Sequence, residues 1–213
     1  MTDEKRESKV ALILTGCGHE SGSEIHEASS LMIEAYNCGK IIDFFVPNIG
    51  TESGELLKQE SRLISRKDCH FLETLDVAHY DALLLPGGLG AWRKILDYAT
   101  VFQQFSRIVG EFVDGRKPIV AVCIAPYVLA KCLEKIEAKR GESGKKFLLT
   151  VGEDLKYLEG IKGIQAVAKK VDQFCVDEEN KLFSCGAFMH GEADMLQICQ
   201  TIRQLTREAL KDC

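Results

Sequence analysis

The sequence has 213 residues, of which 46% are hydrophobic and 28% charged, and its formal net charge is −5. At roughly 150 residues per domain, this length predicts a single domain over residues 1–213 with one large core, and the composition excludes a disordered chain. The sequence lacks the basic stripe that is typical of nucleic-acid-binding proteins. No apolar run approaches the roughly 20 residues that a membrane-spanning helix needs.

The start of the chain is polar and contains acidic side chains. A secretory signal needs an apolar stretch there, and a transit peptide avoids acids. Residues 1–8 are therefore predicted to be a short disordered tail on a cytoplasmic protein. The nine cysteines are irregularly spaced and include no C-x-x-C pair, which argues against a zinc site or a thioredoxin-type motif. We expect mostly buried thiols, no metal and no cofactor.

Predicted strands and helices alternate along the chain. The strands fall at residues 10–14, 41–46, 82–85, 119–122 and 147–151, with a β-hairpin over 174–184. The helices fall at residues 25–38, 56–64, 101–114, from 126 onwards and 195–209, and a charged surface loop at 139–145. This alternation predicts an α/β fold with a mostly parallel sheet and helices on both faces. The functional site of such a sheet lies at the carboxyl ends of its strands, where turns are predicted at 16–22, 86–90 and 123–126.

The segment 119–126 carries the sharpest chemical signal. Cys123 follows a buried strand, and Ala121 and Ala125 supply the small residues that a nucleophile elbow requires two positions before and after the nucleophile. The following helix would point its N-terminus at the sulfur and favour the thiolate. We therefore expect an ionised thiol in an open crevice, although a cysteine that merely ends a buried strand is an equally good interpretation of this segment alone.

Two neighbouring segments strengthen the catalytic interpretation. Gly88 lies in a turn where backbone N–H groups can approach a substrate closely, and the N–H groups of Gly88 and Ile124 together could hold a developing oxyanion. Glu24 begins the first helix and could face the same crevice. The alternative is that Ser21 and Glu24 form a capping box.

These segments together resemble the ThiJ/PfpI superfamily, and within it the ElbB-type glyoxalase branch. The similarity covers nearly the whole chain and depends on the strings at residues 16–28, 81–90, 117–126 and 176–181. It implies a flavodoxin-like or class I glutamine amidotransferase-like sandwich and a homodimer. It also implies Cys123 as the nucleophile, Glu24 as the carboxyl hydrogen-bonded to its sulfur, and Gly88 and Ile124 as oxyanion donors.

The resemblance further implies conversion of glyoxal to glycolate without glutathione. The Cys123 thiolate would add to one aldehyde, Glu24 would move a proton between the two carbons, and water would hydrolyse the resulting thioester. Further candidate pocket residues are Gly18, His19, His26, Gly87 and His190. Many superfamily members place histidine after the nucleophile, whereas this chain has Ile124, so the identity of the general base stays open.

Two other functions are compatible with the sequence. His190 and Glu192 could complete a glutaminase-like triad with Cys123, although their position in the first turn of the last helix is the simpler interpretation. An exposed thiol of low pKa would instead suit a redox or carbonyl-stress sensor. Gly16 and Gly18 begin a partial dinucleotide fingerprint that lacks its third glycine, so a nucleotide cofactor is not expected.

Overall fold

The computed structural model describes residues 7–18, 20–140 and 146–213, and shows a flavodoxin-like α/β sandwich. A seven-stranded sheet has the order β3-β2-β1-β4-β5-β9-β8. All neighbouring strands are parallel except β8, which pairs antiparallel with β9. A second sheet consists of the parallel strands β6 and β7. The predicted fold class and the predicted hairpin are therefore confirmed.

The elements follow one another as the alternating pattern predicts. The strands are β1 (Lys9–Ile13), β2 (Ile41–Val46), β3 (Cys69–Phe71), β4 (Ala82–Leu85), β5 (Ile119–Val122), β6 (Phe147–Leu149), β7 (Ile164–Ala166), β8 (Cys175–Asp177) and β9 (Leu182–Cys185). The helices are α1 (Ile25–Asn37), α2 (Thr51–Ser65), α3 (Leu89–Leu96), α4 (Ala99–Asp114), α5 (Ala125–Arg140) and α6 (Met195–Leu210).

Each face of the large sheet is covered by helices. Successive residues of a strand point to opposite faces, so Ala11 packs in the core under α4 and α5, whereas Leu12 packs in the core under α1 and α6. Both side chains are buried. All four residues of β4 and all four residues of β5 are buried too, which explains why these two strands have continuous apolar sequences. The strand order reverses between β1 and β4, and the site lies at the carboxyl ends of these strands and β5.

Three short elements lie outside the sequence prediction. They are β3, α3 and β7, of three, eight and three residues, too short for a periodic pattern to separate them from loops. The first two residues of the predicted surface loop at 139–145 belong to α5. The other five lie outside the described residues. Most of the predicted tail does too, but Ser8 is fixed, since its Oγ donates to Asp81 at 2.9 Å.

None of the helices described is long and apolar enough to cross a membrane.

Candidate active site

Cys123 lies at a sharp turn between β5 and α5. Its φ is +61°, a left-handed conformation that few residues other than glycine adopt. The Cys123 N–H donates to the Cys185 carbonyl at 3.0 Å, and the Tyr127 N–H donates to the Ile124 carbonyl at 3.0 Å. These bonds hold the strained turn on both sides, as a nucleophile elbow requires.

The Cys123 sulfur is in contact with two backbone donors and one carboxyl group. The N–H groups of Ile124 and Gly88 hydrogen-bond it and favour the thiolate. These are the two donors that the sequence analysis placed at an oxyanion hole, and the structure brings both to the sulfur. The third group is the carboxyl of Glu27, which hydrogen-bonds the thiol.

Glu27 projects from the first turn of α1 into the interior and is fully buried. Its Oε2 accepts a hydrogen bond from the Gly87 N–H at 2.8 Å. A Cβ atom on Gly87 would lie 2.8 Å from that oxygen and 3.0 Å from the Cys123 sulfur. Glycine at 87 therefore allows the backbone, the carboxyl group and the sulfur to meet.

The two acidic groups raise each other's pKa. Burial, followed by the charge of Glu24, raises the pKa of Glu27 to about 7, although hydrogen bonds from Cys123, Gly87 and Phe188 oppose the increase. Burial and the neighbouring Glu27 charge raise the pKa of the Cys123 thiol as well. Since two adjacent negative charges in a buried site are unfavourable, the pair retains one proton at neutral pH. The sequence analysis expected the helix terminus to ionise the thiol. This expectation is wrong, because the ionisation of Cys123 is coupled to that of Glu27.

The carboxyl group at the sulfur belongs to Glu27, which corrects the assignment of Glu24 from the sequence. Glu24 is the N-cap of α1, and its Oε2 accepts a hydrogen bond from the Glu27 N–H at 2.7 Å. The capping box with Ser21 does not form, because Glu24 is itself the N-cap and its N–H donates to the Gly87 carbonyl at 3.0 Å. A signal for Glu27 was present in the sequence: it precedes buried Leu31 by four residues and so lies on the inner face of the helix.

The predicted open crevice is also corrected, because Cys123 is only 3% exposed. We call residues 16–23 the glycine loop. Its Gly22 and Ser23 pack so closely on Gly88 that a Cβ there would overlap the Gly22 carbonyl oxygen. Lys94 of α3 binds the glycine loop and the residue before it, since its Nζ donates to the carbonyl oxygens of Thr15, at 3.1 Å, and Ser21.

The remaining candidate pocket residues are not all at the sulfur. Gly87 packs beside it, since an added Cβ would lie 3.0 Å from the sulfur, whereas Gly18 bonds within the glycine loop, to Ser23 and Gly22. His26 is half exposed and its Nδ1 lies 2.8 Å from Glu24 Oε1. His19 lies outside the described residues.

The glutaminase-like triad does not form as predicted. The Nδ1 of His190 lies 3.6 Å from Glu153, and its Nε2 packs against Gly152 and Gly186. Glu192 is exposed, so the acid beside His190 is Glu153. The buried Cys123 is equally unlike the exposed thiol of low pKa that the sensor hypothesis requires.

In the part of the chain that the structure describes, no group of three or more His, Cys, Asp or Glu side chains lies close enough together to hold a metal ion. The groups that the structure places at the Cys123 sulfur are one carboxyl group of pKa about 7 and two backbone donors.

Comparison with known proteins gives consistent matches. The DJ-1/PfpI family model matches residues 60–188. The rat ES1 protein homolog, mitochondrial, is 31% identical over 96% of this chain and 84% of its own length. The human glutamine amidotransferase-like class 1 domain-containing protein 3, mitochondrial, is 32% identical over 85% of this chain and 75% of its own length.

Solved structures share the fold over nearly the full length. An isoprenoid biosynthesis protein with an amidotransferase-like domain from Ehrlichia chaffeensis has a TM-score of 0.82 and 28% identity, covering 96% of this chain and 98% of its own. Glyoxalase III from Candida albicans has a TM-score of 0.63 and 13% identity, covering 94% of this chain and 96% of its own. The second likeness shows the fold alone.

The predicted cytoplasmic location is wrong, because the rat and human relatives and an ES1 protein from Danio rerio are all named as mitochondrial proteins. The prediction depended on acidic residues near the start of the chain. The charge of a few residues near the start is thus a weak guide to the location of this protein.

Proposed function

Since the chain belongs to the DJ-1/PfpI family, we propose that it is a cofactor-free, cysteine-dependent enzyme that converts small dicarbonyls such as glyoxal to hydroxy acids such as glycolate. The observation that carries the proposal is the contact between the Cys123 sulfur and a buried carboxyl group, Glu27, whose pKa is about 7. A carboxyl group with that pKa both gives and accepts protons readily at neutral pH.

The first step uses the proton that the pair shares. With the proton on Glu27, the Cys123 thiolate attacks one aldehyde carbon of glyoxal and forms a C–S bond, and the carbonyl electron pair moves to oxygen. The N–H groups of Gly88 and Ile124 stabilise that oxygen, and the Glu27 proton neutralises it. The product of the step is a hemithioacetal, with Glu27 left as a carboxylate.

The second step moves a proton between the two carbons of the substrate. The Glu27 carboxylate removes the hydrogen of the sulfur-bearing carbon, which gives an enediolate. The hydroxyl proton of that carbon passes to the neighbouring oxygen, and Glu27 returns its proton to the neighbouring carbon. The result is a thioester of glycolate, so one carbon is oxidised and the other reduced without an external electron acceptor. Water then cleaves the thioester, releasing glycolate and regenerating the Cys123 thiol.

The buried position of the sulfur limits the substrate to a small molecule. Because Cys123 is 3% exposed and the glycine loop packs on Gly88, a two- or three-carbon dicarbonyl is the size class that the site favours. The glyoxalase III of Candida albicans shares this fold, which supports the scaffold and leaves the substrate as a proposal. The homodimer and the ElbB-type branch implied by the sequence likewise stay predictions.

Turnover of glyoxal in D2O tests the proposal. A proton carried by Glu27 exchanges with solvent, so the glycolate formed should contain deuterium on its methylene carbon. The Glu27→Gln variant should lose about 10²- to 10⁴-fold in rate, the range expected for removal of a general acid–base group. Glycolate formed without deuterium would indicate a direct hydride shift in place of the proton shuttle. Absence of glycolate would overturn the proposed function.

A further inference from the structure

Two polar residues beside the Cys123–Glu27 pair take no part in the mechanism above. Glu24 is 8% exposed, and both of its carboxyl oxygens are engaged. Oε2 accepts the Glu27 N–H at 2.7 Å, and Oε1 lies 2.8 Å from His26 Nδ1. The His26 side chain is 49% exposed, so Glu24 connects a surface imidazole to the turn that carries Glu27.

The backbone of Glu24 is bound to the same site. Its N–H donates to the Gly87 carbonyl at 3.0 Å, while the Gly87 N–H donates to Glu27 Oε2 at 2.8 Å. With the bond from the Glu27 N–H to the Glu24 side chain, the three residues form a closed ring of hydrogen bonds. Movement of Glu24 would therefore move the Glu27 carboxyl group relative to the sulfur.

The charges around Glu27 show why an acid at position 24 matters. Glu27 is faced by the Cys123 sulfur from the elbow, by Cys185 from the end of β9 and by Glu24 from the start of α1, and it accepts N–H groups from Gly87 and Phe188. The two thiols are neutral when protonated, whereas a Glu24 carboxylate places a negative charge beside Glu27. That charge opposes ionisation of Glu27.

We propose that Glu24 is a positioning residue whose charge disfavours ionisation of Glu27 and so favours the form in which Glu27 holds a proton beside Cys123, and that His26 holds Glu24 in place. The proposal concerns the same site as the proposed function, but it does not depend on which substrate the site accepts. Glu24 acts through Glu27 and does not touch the reacting sulfur.

Infrared spectroscopy of the protonated carboxyl band tests the proposal without any substrate. The band of Glu27 is assigned by its loss in Glu27→Gln. Glu24→Gln keeps an oxygen that can accept the Glu27 N–H but removes the charge, and it should shift the disappearance of the band towards acid by about one pH unit. Glu20→Gln removes the same charge from an exposed position in the glycine loop and should leave the band unchanged.

Alkylation of Cys123 by iodoacetamide at pH 7 gives the second measurement. Glu24→Gln should slow it by up to about tenfold, the change that corresponds to one pKa unit, because Glu27 then ionises and suppresses the thiolate. His26→Leu should also slow alkylation, whereas His26→Gln, whose amide can donate to Glu24, should restore the rate. If Glu24→Gln leaves both the band and the rate as in the wild type, Glu24 is only a helix cap and the proposal fails. If His26→Leu is unchanged, the role of His26 is overturned.

Discussion

The carboxyl group of Glu27 hydrogen-bonds the sulfur of Cys123 in a buried site. The two groups reach each other from different elements, Glu27 from α1 and Cys123 from the turn after β5. The Gly87 N–H fixes the carboxyl group at 2.8 Å. Because each group disfavours ionisation of the other, the proton they share determines when the sulfur becomes nucleophilic.

The buried Glu27 predicts a specific pH dependence of stability. Folding raises the pKa of this carboxyl group from 4.5 to about 7. Below pH 4.5 both the folded and unfolded states hold the proton, but between these values the unfolded state ionises first. Glu27 therefore reduces the free energy of unfolding as pH rises towards 7, by roughly 3 kcal/mol in total. Glu27→Gln should lack this loss.

Urea unfolding of both proteins at pH 5 and pH 8 measures the effect. The free energy of unfolding of Glu27→Gln, taken relative to that of the wild type, should be larger at pH 8 than at pH 5. The exposed Glu20→Gln should show no such difference. A difference between Glu27→Gln and wild type that is independent of pH would mean that Glu27 ionises normally in the folded protein.

Gly88 is predicted to tolerate no side chain. Its φ is +108°, and a Cβ would lie 2.8 Å from the Glu24 nitrogen. Gly50 has a similar φ of +112° with no atom within 4 Å of the added Cβ, so Gly50→Ala reports the backbone strain alone. Gly88→Ala should destabilise the protein by about 1–3 kcal/mol more than this control, the usual cost of overpacking. Equal losses in urea unfolding would show that the glycine loop does not pack tightly on the turn.

Lys94 is predicted to control access to the sulfur. Its Nζ donates to the carbonyl groups of Thr15, just before the glycine loop, and of Ser21 within it. Removing these charged hydrogen bonds in Lys94→Met should loosen the glycine loop and speed alkylation of Cys123 by roughly tenfold, which corresponds to about 1.4 kcal/mol. Arg93→Met, on an exposed position of the same helix, is the matched control. Alkylation of Lys94→Met at the wild-type rate would mean that the sulfur is reached by another route.

The sequence predicted the sheet, the elbow at Cys123 and the donors Gly88 and Ile124, because each depends on local signals: apolar strands, small residues at a tight turn and glycine. It predicted the wrong one of two nearby acids at the sulfur, Glu24 instead of Glu27. Glu24 and Glu27 are three residues apart, and the choice depends on where α1 begins. Since Ile25 is the first helical residue, Glu24 caps the helix and Glu27 turns inward.

Burial of the sulfur could not be predicted for a different reason. It depends on the close packing of the glycine loop against Gly88 and Gly90, a contact between segments about 65 residues apart in the chain. Glycines permit such an approach but do not specify the partner.

The proposed mechanism requires Cys123 to form a covalent bond to the substrate. The most direct measurement is the steady-state rate of glycolate formation from glyoxal by the wild type, by Cys123→Ser and by Cys199→Ser, which changes a partly exposed thiol of α6. Each variant's fold is checked by circular dichroism. We expect Cys123→Ser to form no glycolate above the uncatalysed rate, with Cys199→Ser equal to the wild type. Wild-type turnover by a correctly folded Cys123→Ser would show that the reaction does not pass through the Cys123 sulfur.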